Sequence, residues 1–242
     1  MKPPTVPAPD RDLVVNETFG PTFQGEGPST GRYAHFIRLF GCHLSCTWCD
    51  TPHTHDPTRY DLTAEQRILS IDDILSWLAA APVDLLVITG GEPMLQPRVL
   101  ERLLLAIRDR SLATDIEIEI ETSGTIPPTD LLTAAATRFN VSPKLAHSGL
   151  RRHQRIRPAV LRHLAGTGKA VWKFVVQEID DLDEVQELTE AYDLHPVWIM
   201  PEGTDSSTVL TRMRLLAEPV LSRRWHLSPR LHTLLWENDR GR

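Results

Sequence analysis

Apolar and polar positions along this chain follow two periods that take turns. Leu13-Val14-Val15-Asn16-Glu17-Thr18-Phe19 reads as a strand that breaks at Gly20-Pro21, and Ala34 to Phe40 as a second, mostly apolar strand that leaves Arg38 inside it. Ile71, Ile74, Leu75 and Leu78 then recur at helical spacing behind Ser70, an N-cap candidate followed by first-turn acids. Asp84 to Thr89 is a short buried-strand run. Pro97 to Arg110 reads as a helix with Leu100, Leu103, Leu104 and Ile107 on one side, and Asp115 to Glu121 as a strand alternating Ile116, Ile118 and Ile120 with acids. Further on, helices are expected at 127–138, 158–165, from Asp180, and at 206–221. Strands are expected at 139–142, 170–176, 197–200 and 224–227.

Such β-α order argues for a parallel sheet covered by helices. The count is six or seven units, short of the eight that close a full barrel. The expected fold is therefore α/β, a partial, open β/α barrel of about six parallel strands. It forms one domain over 13–242, after a proline-punctuated, flexible N-terminal arm over 1–12. In this architecture the loops leaving the C-terminal strand ends line one mouth, and catalysis gathers there. Those loops are unusual here: Gly41 to Thr51, Thr89-Gly90-Gly91-Glu92-Pro93, Glu121-Thr122-Ser123-Gly124-Thr125, Ser142-Pro143-Lys144 and Met200-Pro201-Glu202-Gly203, with Lys173 inside its strand.

Composition narrows the picture. With 242 residues, 41% apolar and 24% charged, the chain suits an ordinary globular protein with one large core. Its net charge of −6 supplies no global positive field for nucleic acid or an anionic membrane. The pairs Arg151-Arg152 and Arg223-Arg224 read as solvated helix ends. No apolar run is long enough to cross a bilayer, and the N-terminus has no apolar signal core. Cysteines without export point to a reducing cytoplasm.

All three cysteines lie in Cys42-His43-Leu44-Ser45-Cys46-Thr47-Trp48-Cys49. Thiolates are soft donors suited to iron-sulfur clusters, zinc or copper(I), and three of them leave one position for another ligand. Zinc would need His43, His53 or His55 as its fourth ligand. A disulfide framework fits poorly with an odd count in one short loop. Elsewhere, Thr89-x-x-Glu92 forms a possible capping box. Glu121 is either a strand-end acid or a ligand contact, and Lys144 reads as solvated.

The Cys-x3-Cys-x2-Cys spacing resembles the radical S-adenosylmethionine (radical SAM) enzymes, and Gly90-Gly91-Glu92 resembles the motif by which they hold the methionine amino group. That resemblance implies a 4Fe-4S cluster on Cys42, Cys46 and Cys49. Its open iron would be chelated by S-adenosylmethionine, which is cleaved to a 5'-deoxyadenosyl radical.

Thr22 to Gly27, Phe36 to Arg38, Cys42 to Thr51, Thr89 to Pro93, Glu121 to Thr125, Ser142 to Lys144 and the tail Leu231 to Trp236 further resemble the 7-carboxy-7-deazaguanine synthase family of queuosine and deazapurine biosynthesis. The implied reaction turns 6-carboxy-5,6,7,8-tetrahydropterin into 7-carboxy-7-deazaguanine with loss of ammonia. By position, the resemblance gives S-adenosylmethionine to Trp48, Cys49, Asp50, Gly91, Ser142, Pro143, Lys144, Met200, Pro201, Glu202 and Gly203. It gives the pterin to Phe23, Gln24, Gly25, Arg38 and Thr89, and Mg2+ to Thr51. It also implies a homodimer and an electron donor such as flavodoxin or ferredoxin. Two departures stand out: His55 replaces an aromatic residue usual in the family, and Trp236-Glu237-Asn238 replaces a Trp-Gly-Asn tail. The alternatives are another radical SAM enzyme, such as a glycyl-radical activase, or a non-catalytic zinc-binding module.

Overall fold

The computed structural model describes residues 12–109 and 116–242. The N-terminal arm, Arg110 and Asp115 lie outside the described residues, except that Asp12 opens the first strand. Along the chain run β1 (Asp12–Phe23), β2 (Tyr33–Leu39), β3 (Arg67–Ser70), α1 (Ile71–Ala80), β4 (Leu85–Gly90), α2 (Pro97–Asp109), β5 (Glu117–Thr122), α3 (Asp130–Ala135) and β6 (Arg138–Val141). These are followed by α4 (Arg152–Arg155), α5 (Pro158–Gly166), β7 (Ala170–Val176), α6 (Asp181–Tyr192), β8 (Val197–Pro201), α7 (Ser206–Ser222), β9 (His226–Leu227) and α8 (Leu231–Trp236).

The strands form one sheet in the order β3-β1-β2-β4-β5-β6-β7-β8-β9. From β2 to β9 every neighbouring pair is parallel, while β1 pairs antiparallel with both β2 and β3. The sheet is open, with β3 at one edge and the two-residue β9 at the other. The parallel part thus has six full strands and a short seventh.

Several local expectations change. β1 does not end at Gly20-Pro21. An irregularity between Phe19 and Thr22 absorbs the pair, and pairing resumes at Thr22↔Ala34, as suits a proline that has no N–H for the ladder. Gly20 sits at φ +119, where a Cβ would meet His35 Nδ1 at 2.7 Å, so only glycine fits. α3 is shorter than expected because its N-cap is Thr129, after Pro127-Pro128, and because Ala136 already turns extended. Ser70 does cap α1, in a reciprocal box with Asp73.

The main core lies between the sheet and its helices. Ile37, Leu86, Ile88, Ile118, Ile120, Trp172 and Phe174 meet Leu100, Leu103, Leu104, Leu161 and Leu182 there. Because side chains alternate along a strand, the intervening positions face the other way. Ala34, Phe36, Leu85 and Val87 form a small apolar plug with Phe19 on that inner face.

Candidate active site

Above the plug the same alternation turns polar. Arg38 on β2, Thr89 on β4, Glu121 on β5, Asn140 on β6 and Lys173 on β7 reach a cavity of about 350 Å3 that the cysteine loop also lines. Glu121 of β5 and Lys173 of β7 are therefore site residues, placed by the period that puts Ile118, Ile120, Trp172 and Phe174 into the core.

The cysteine loop follows β2 and is stitched to its neighbours through backbone. Glu92 N–H donates to Gly41 O at 2.8 Å, Gly41 N–H to Thr54 O at 3.0 Å, and Thr47 N–H to Ser148 O at 3.0 Å. Gly91 makes the closest approach: a Cβ there would lie 2.1 Å from Gly41 O and 2.9 Å from Cys42 Cβ. All three cysteines are free, half-buried and on the cavity wall. Burial pushes the Cys42 thiol up to about 12, with the charge of Glu92 adding to it. Burial also raises Cys46, opposed by Lys144, and Cys49, reinforced by Asp50. Such thiols stay protonated near neutrality until a soft metal displaces the protons.

Glu92 organises the strand ends. Fully buried, it caps the short 3-10 turn Pro93–Leu95 by accepting from Met94 N–H at 3.1 Å. It also accepts from Thr122 Oγ1 at 2.7 Å, and from Ser123 N–H at 2.9 Å and Oγ at 2.5 Å. The expected box with Thr89 does not form, because the Thr89 hydroxyl donates instead to Glu121 Oε2 at 2.7 Å. Ser123 Oγ is linked through Thr125 Oγ1 to His43 Nε2, which ties the cysteine loop to the end of β5. Burial lowers the His43 imidazole's pKa, with Glu92 opposing and Arg157 reinforcing the shift.

Across the cavity stands a buried network of charges. Lys173 Nζ donates to Glu26 and lies 3.5 Å from Glu121 Oε1. Arg230 binds Asp50 through Nη2 and Gly203 O through Nη1 at 2.7 Å, and its Nε lies 3.3 Å from Glu26 Oε1. Burial alone would raise Glu26, but Lys173 and Arg230 outweigh it and hold that carboxyl well below the usual range. Burial would likewise lower Lys173, yet Glu121 and Glu26 hold it above its ordinary value. Gln24 Nε2 reaches Glu121 at 3.3 Å, and Arg38 Nε donates to Glu17 Oε1 at 2.8 Å.

Of the residues singled out in sequence, Phe23, Gln24, Gly25, Arg38, Cys42, Cys46, Trp48, Cys49, Asp50, Thr51, Thr89, Gly91, Ser142, Lys144 and Met200 line this one cavity. Pro143, Pro201, Glu202 and Gly203 do not. Glu202 turns to Arg212, while Gly203 supports Arg230 through its carbonyl. Lys144 is not simply solvated: it donates to Ser142 Oγ at 3.0 Å and lies 5.5 Å from the Trp48 ring centroid. Sequence reasoning missed Glu26, Arg230 and His232. Glu26 stood in the two-glycine loop, but a lone acid there gave no pairing signal. Arg230 and His232 come from a segment whose approach to Gly25 is a tertiary matter; Leu231 N–H donates to Gly25 O at 2.8 Å.

The residues present fit an iron-sulfur cluster with a polar ligand beside it. Three unpaired thiols share a wall with Trp48 Nε1 and Asn140 Oδ1, both buried without a protein partner. Among the described residues no three His, Cys, Asp or Glu side chains gather on one point as a single zinc ion requires. Thiolates on a cubane are instead spread over separate irons.

The family model of the radical SAM superfamily matches residues 36–165, from β2 to the end of α5, so the chain is a radical SAM protein. It is 34% identical over 224 residues to the 7-carboxy-7-deazaguanine synthase of Pyrobaculum aerophilum, covering 91% of this chain and 94% of that one. Against the Escherichia coli enzyme of that name it is 33% identical over 244 residues, covering 91% and 97%. The fold matches the crystal structure of QueE from Escherichia coli with a TM-score of 0.66 at 27% identity, over 90% of this chain and 93% of that one. The chain belongs to the 7-carboxy-7-deazaguanine synthase family.

Proposed function

We propose that this chain converts 6-carboxy-5,6,7,8-tetrahydropterin to 7-carboxy-7-deazaguanine with release of ammonia, and that the cavity above the apolar plug is where it does so. The reading rests chiefly on one observation: the only three cysteines of the chain and the Gly91 backbone edge meet on a cavity whose facing wall pairs two buried cations with partly buried acids. When bound, the cluster and S-adenosylmethionine supply a radical able to abstract a substrate hydrogen.

The protein's own groups do the rest. Cys42, Cys46 and Cys49 hold the cluster, each losing its thiol proton as metal binds. Gly91, lacking a side chain, lets the strand end pair with the amino acid part of S-adenosylmethionine. Trp48, Asp50, Ser142 and Lys144 flank it, while Pro143 and Met200 to Gly203 shape the rim. Phe23, Gln24, Gly25 and Thr89 border the pterin, and Glu121 offers acceptors to its ring N–H groups. Arg38 recognises the substrate carboxylate through its Nη pair, since Glu17 already takes Nε. The Thr51 hydroxyl would be the protein's ligand to Mg2+, with substrate and water oxygens completing its shell. Burial of the reacting ring against Phe36 and Phe19 excludes bulk water from the radical.

The test is anaerobic incubation of cluster-loaded protein with reductant, S-adenosylmethionine, Mg2+ and the carboxytetrahydropterin, read by mass spectrometry. A product lighter than the substrate by ammonia is expected, and none from Cys46→Ala. Unaltered pterin from protein that holds its cluster and cleaves S-adenosylmethionine would remove the substrate assignment and leave the radical chemistry in place.

A further inference from the structure

From Leu131 to Gln177 the chain carries nine lysines and arginines and no aspartate or glutamate, although the whole protein has a net charge of −6. Seven of the nine are engaged within the fold, as Lys173 is by Glu26, Arg155 by Glu184 and Arg152 by Glu187. Arg151 and Arg157 remain. Both are exposed, and among the described residues neither has a carboxylate within ion-pair distance.

Their place in the fold gives these two charges a use. The segment leading to Arg151 is packed onto the cysteine loop: Ser148 O accepts from Thr47 N–H at 3.0 Å, and a Cβ on Gly149 would lie 2.7 Å from Thr47 Cγ2. Arg157 follows Arg151 across the short helix α4 and is the N-cap residue of α5. Arg151 thus follows directly on the segment that packs against the outer rim of the cysteine loop, where Ser45 and Thr47 are exposed, and Arg157 comes one short helix later. Radical SAM chemistry needs one electron delivered from outside to the centre held by this loop. A surface of net negative charge repels an acidic carrier everywhere except where the sign reverses locally, and such a reversal steers encounter.

We propose that Arg151 and Arg157, with the exposed rim at Ser45 and Thr47, form the docking edge for a small acidic one-electron carrier protein. The carrier is oxidised by one electron as the cluster is reduced by one, with no bond made or broken in the step. The inference rests on the assignment of the cluster to Cys42, Cys46 and Cys49. It adds the place from which that cluster is reduced.

The experiment uses cluster-loaded protein and anaerobic stopped-flow mixing with reduced flavodoxin as the probe. The double reversal Arg151→Glu with Arg157→Glu is expected to lower the second-order rate constant of cluster reduction about tenfold at low ionic strength. That gap should narrow as salt is added, and Arg151→Lys with Arg157→Lys should keep most of the rate. Reduction by photoexcited 5-deazariboflavin, a small uncharged donor, should stay at the wild-type rate with an unchanged iron content. A flavodoxin rate untouched by reversal, or an equal loss with both donors, overturns the docking edge. Wild-type protein without iron and sulfide would instead bring down the cluster assignment beneath it, and that is visible before any carrier is added.

Discussion

The two walls of the cavity are held by opposite means. On the far wall Glu26, Lys173, Arg230 and Asp50 are bonded to one another, with Glu121 alongside, so that every charge has a protein partner. On the near wall the three thiols are half-buried, Cys49 Sγ lies 3.7 Å from the Thr51 hydroxyl, and the partner proposed for all three is a metal. A wall braced by its own ions is preorganised before substrate arrives, whereas a wall of protonated thiols completes itself only by losing protons to metal. The near wall should depend on loading, and the far wall should not.

The largest break of this contrast comes from removing one cation from the far wall. Lys173→Met leaves Glu26 and Glu121 without their shared ammonium, and loss of one partner from a buried ion pair costs about 3–5 kcal/mol. For a chain of this size that lowers the melting temperature of the cluster-free protein by about 10 °C. Cys46→Ala in the same cluster-free protein should change it far less. Equal losses in calorimetry would mean that the walls are not held differently.

An intermediate effect tests what little does support the near wall. Glu184 accepts from Ala146 N–H at 2.7 Å and from Arg155 Nη1 at 2.6 Å, and Arg155 Nη1 also donates to Lys144 O at 2.9 Å. This brace fixes the segment whose Ser148 holds Thr47. Glu184→Gln is expected to speed iron loss to a chelator about tenfold while leaving the cluster-free melting temperature within a few degrees. An unchanged release rate would leave the support of the loop to its other ties, from Gly41 to Glu92 and Thr54, from His43 to Thr125 and from Asp50 to Arg230.

The last test is one of pH. The Cys42 thiol is pushed up to about 12 by burial, against about 8.5 in an unfolded chain. Between those values the native state keeps a proton that the unfolded state has released, so the cluster-free protein loses stability as pH rises through that window. Once the sulfurs bind iron the slope disappears. On the acid side Glu26 is held below its ordinary value, so its contribution is present above about pH 4.3 and is lost as pH falls further, with or without cluster. Denaturant midpoints across pH, with and without iron, read both; an alkaline slope that survives loading would contradict the contrast.

The parts of this arrangement that repeat a local period were legible in the sequence. β7 begins and ends where the alternating run predicts, and α1 begins behind its Ser70 cap. That Cys42, Cys46 and Cys49 share one short loop was equally plain. What could not be read is what long-range pairing creates. β3 is four residues, half-exposed and polar at its start, and becomes a strand only because Val14 pairs with Ile68. Arg230 enters the site because the chain after β9 returns over Gly25, and no local pattern marks that return. Glu121 could have been a surface acid, until β7 placed Lys173 opposite it.

The end of the chain has a practical consequence for anyone preparing the protein. Asn238 to Arg242 lie along the cavity wall, where Arg240 is bonded to Glu65 and Arg242 stands over the Trp236 ring. An affinity tag fused after Arg242 would therefore emerge at the mouth through which cofactor and substrate enter.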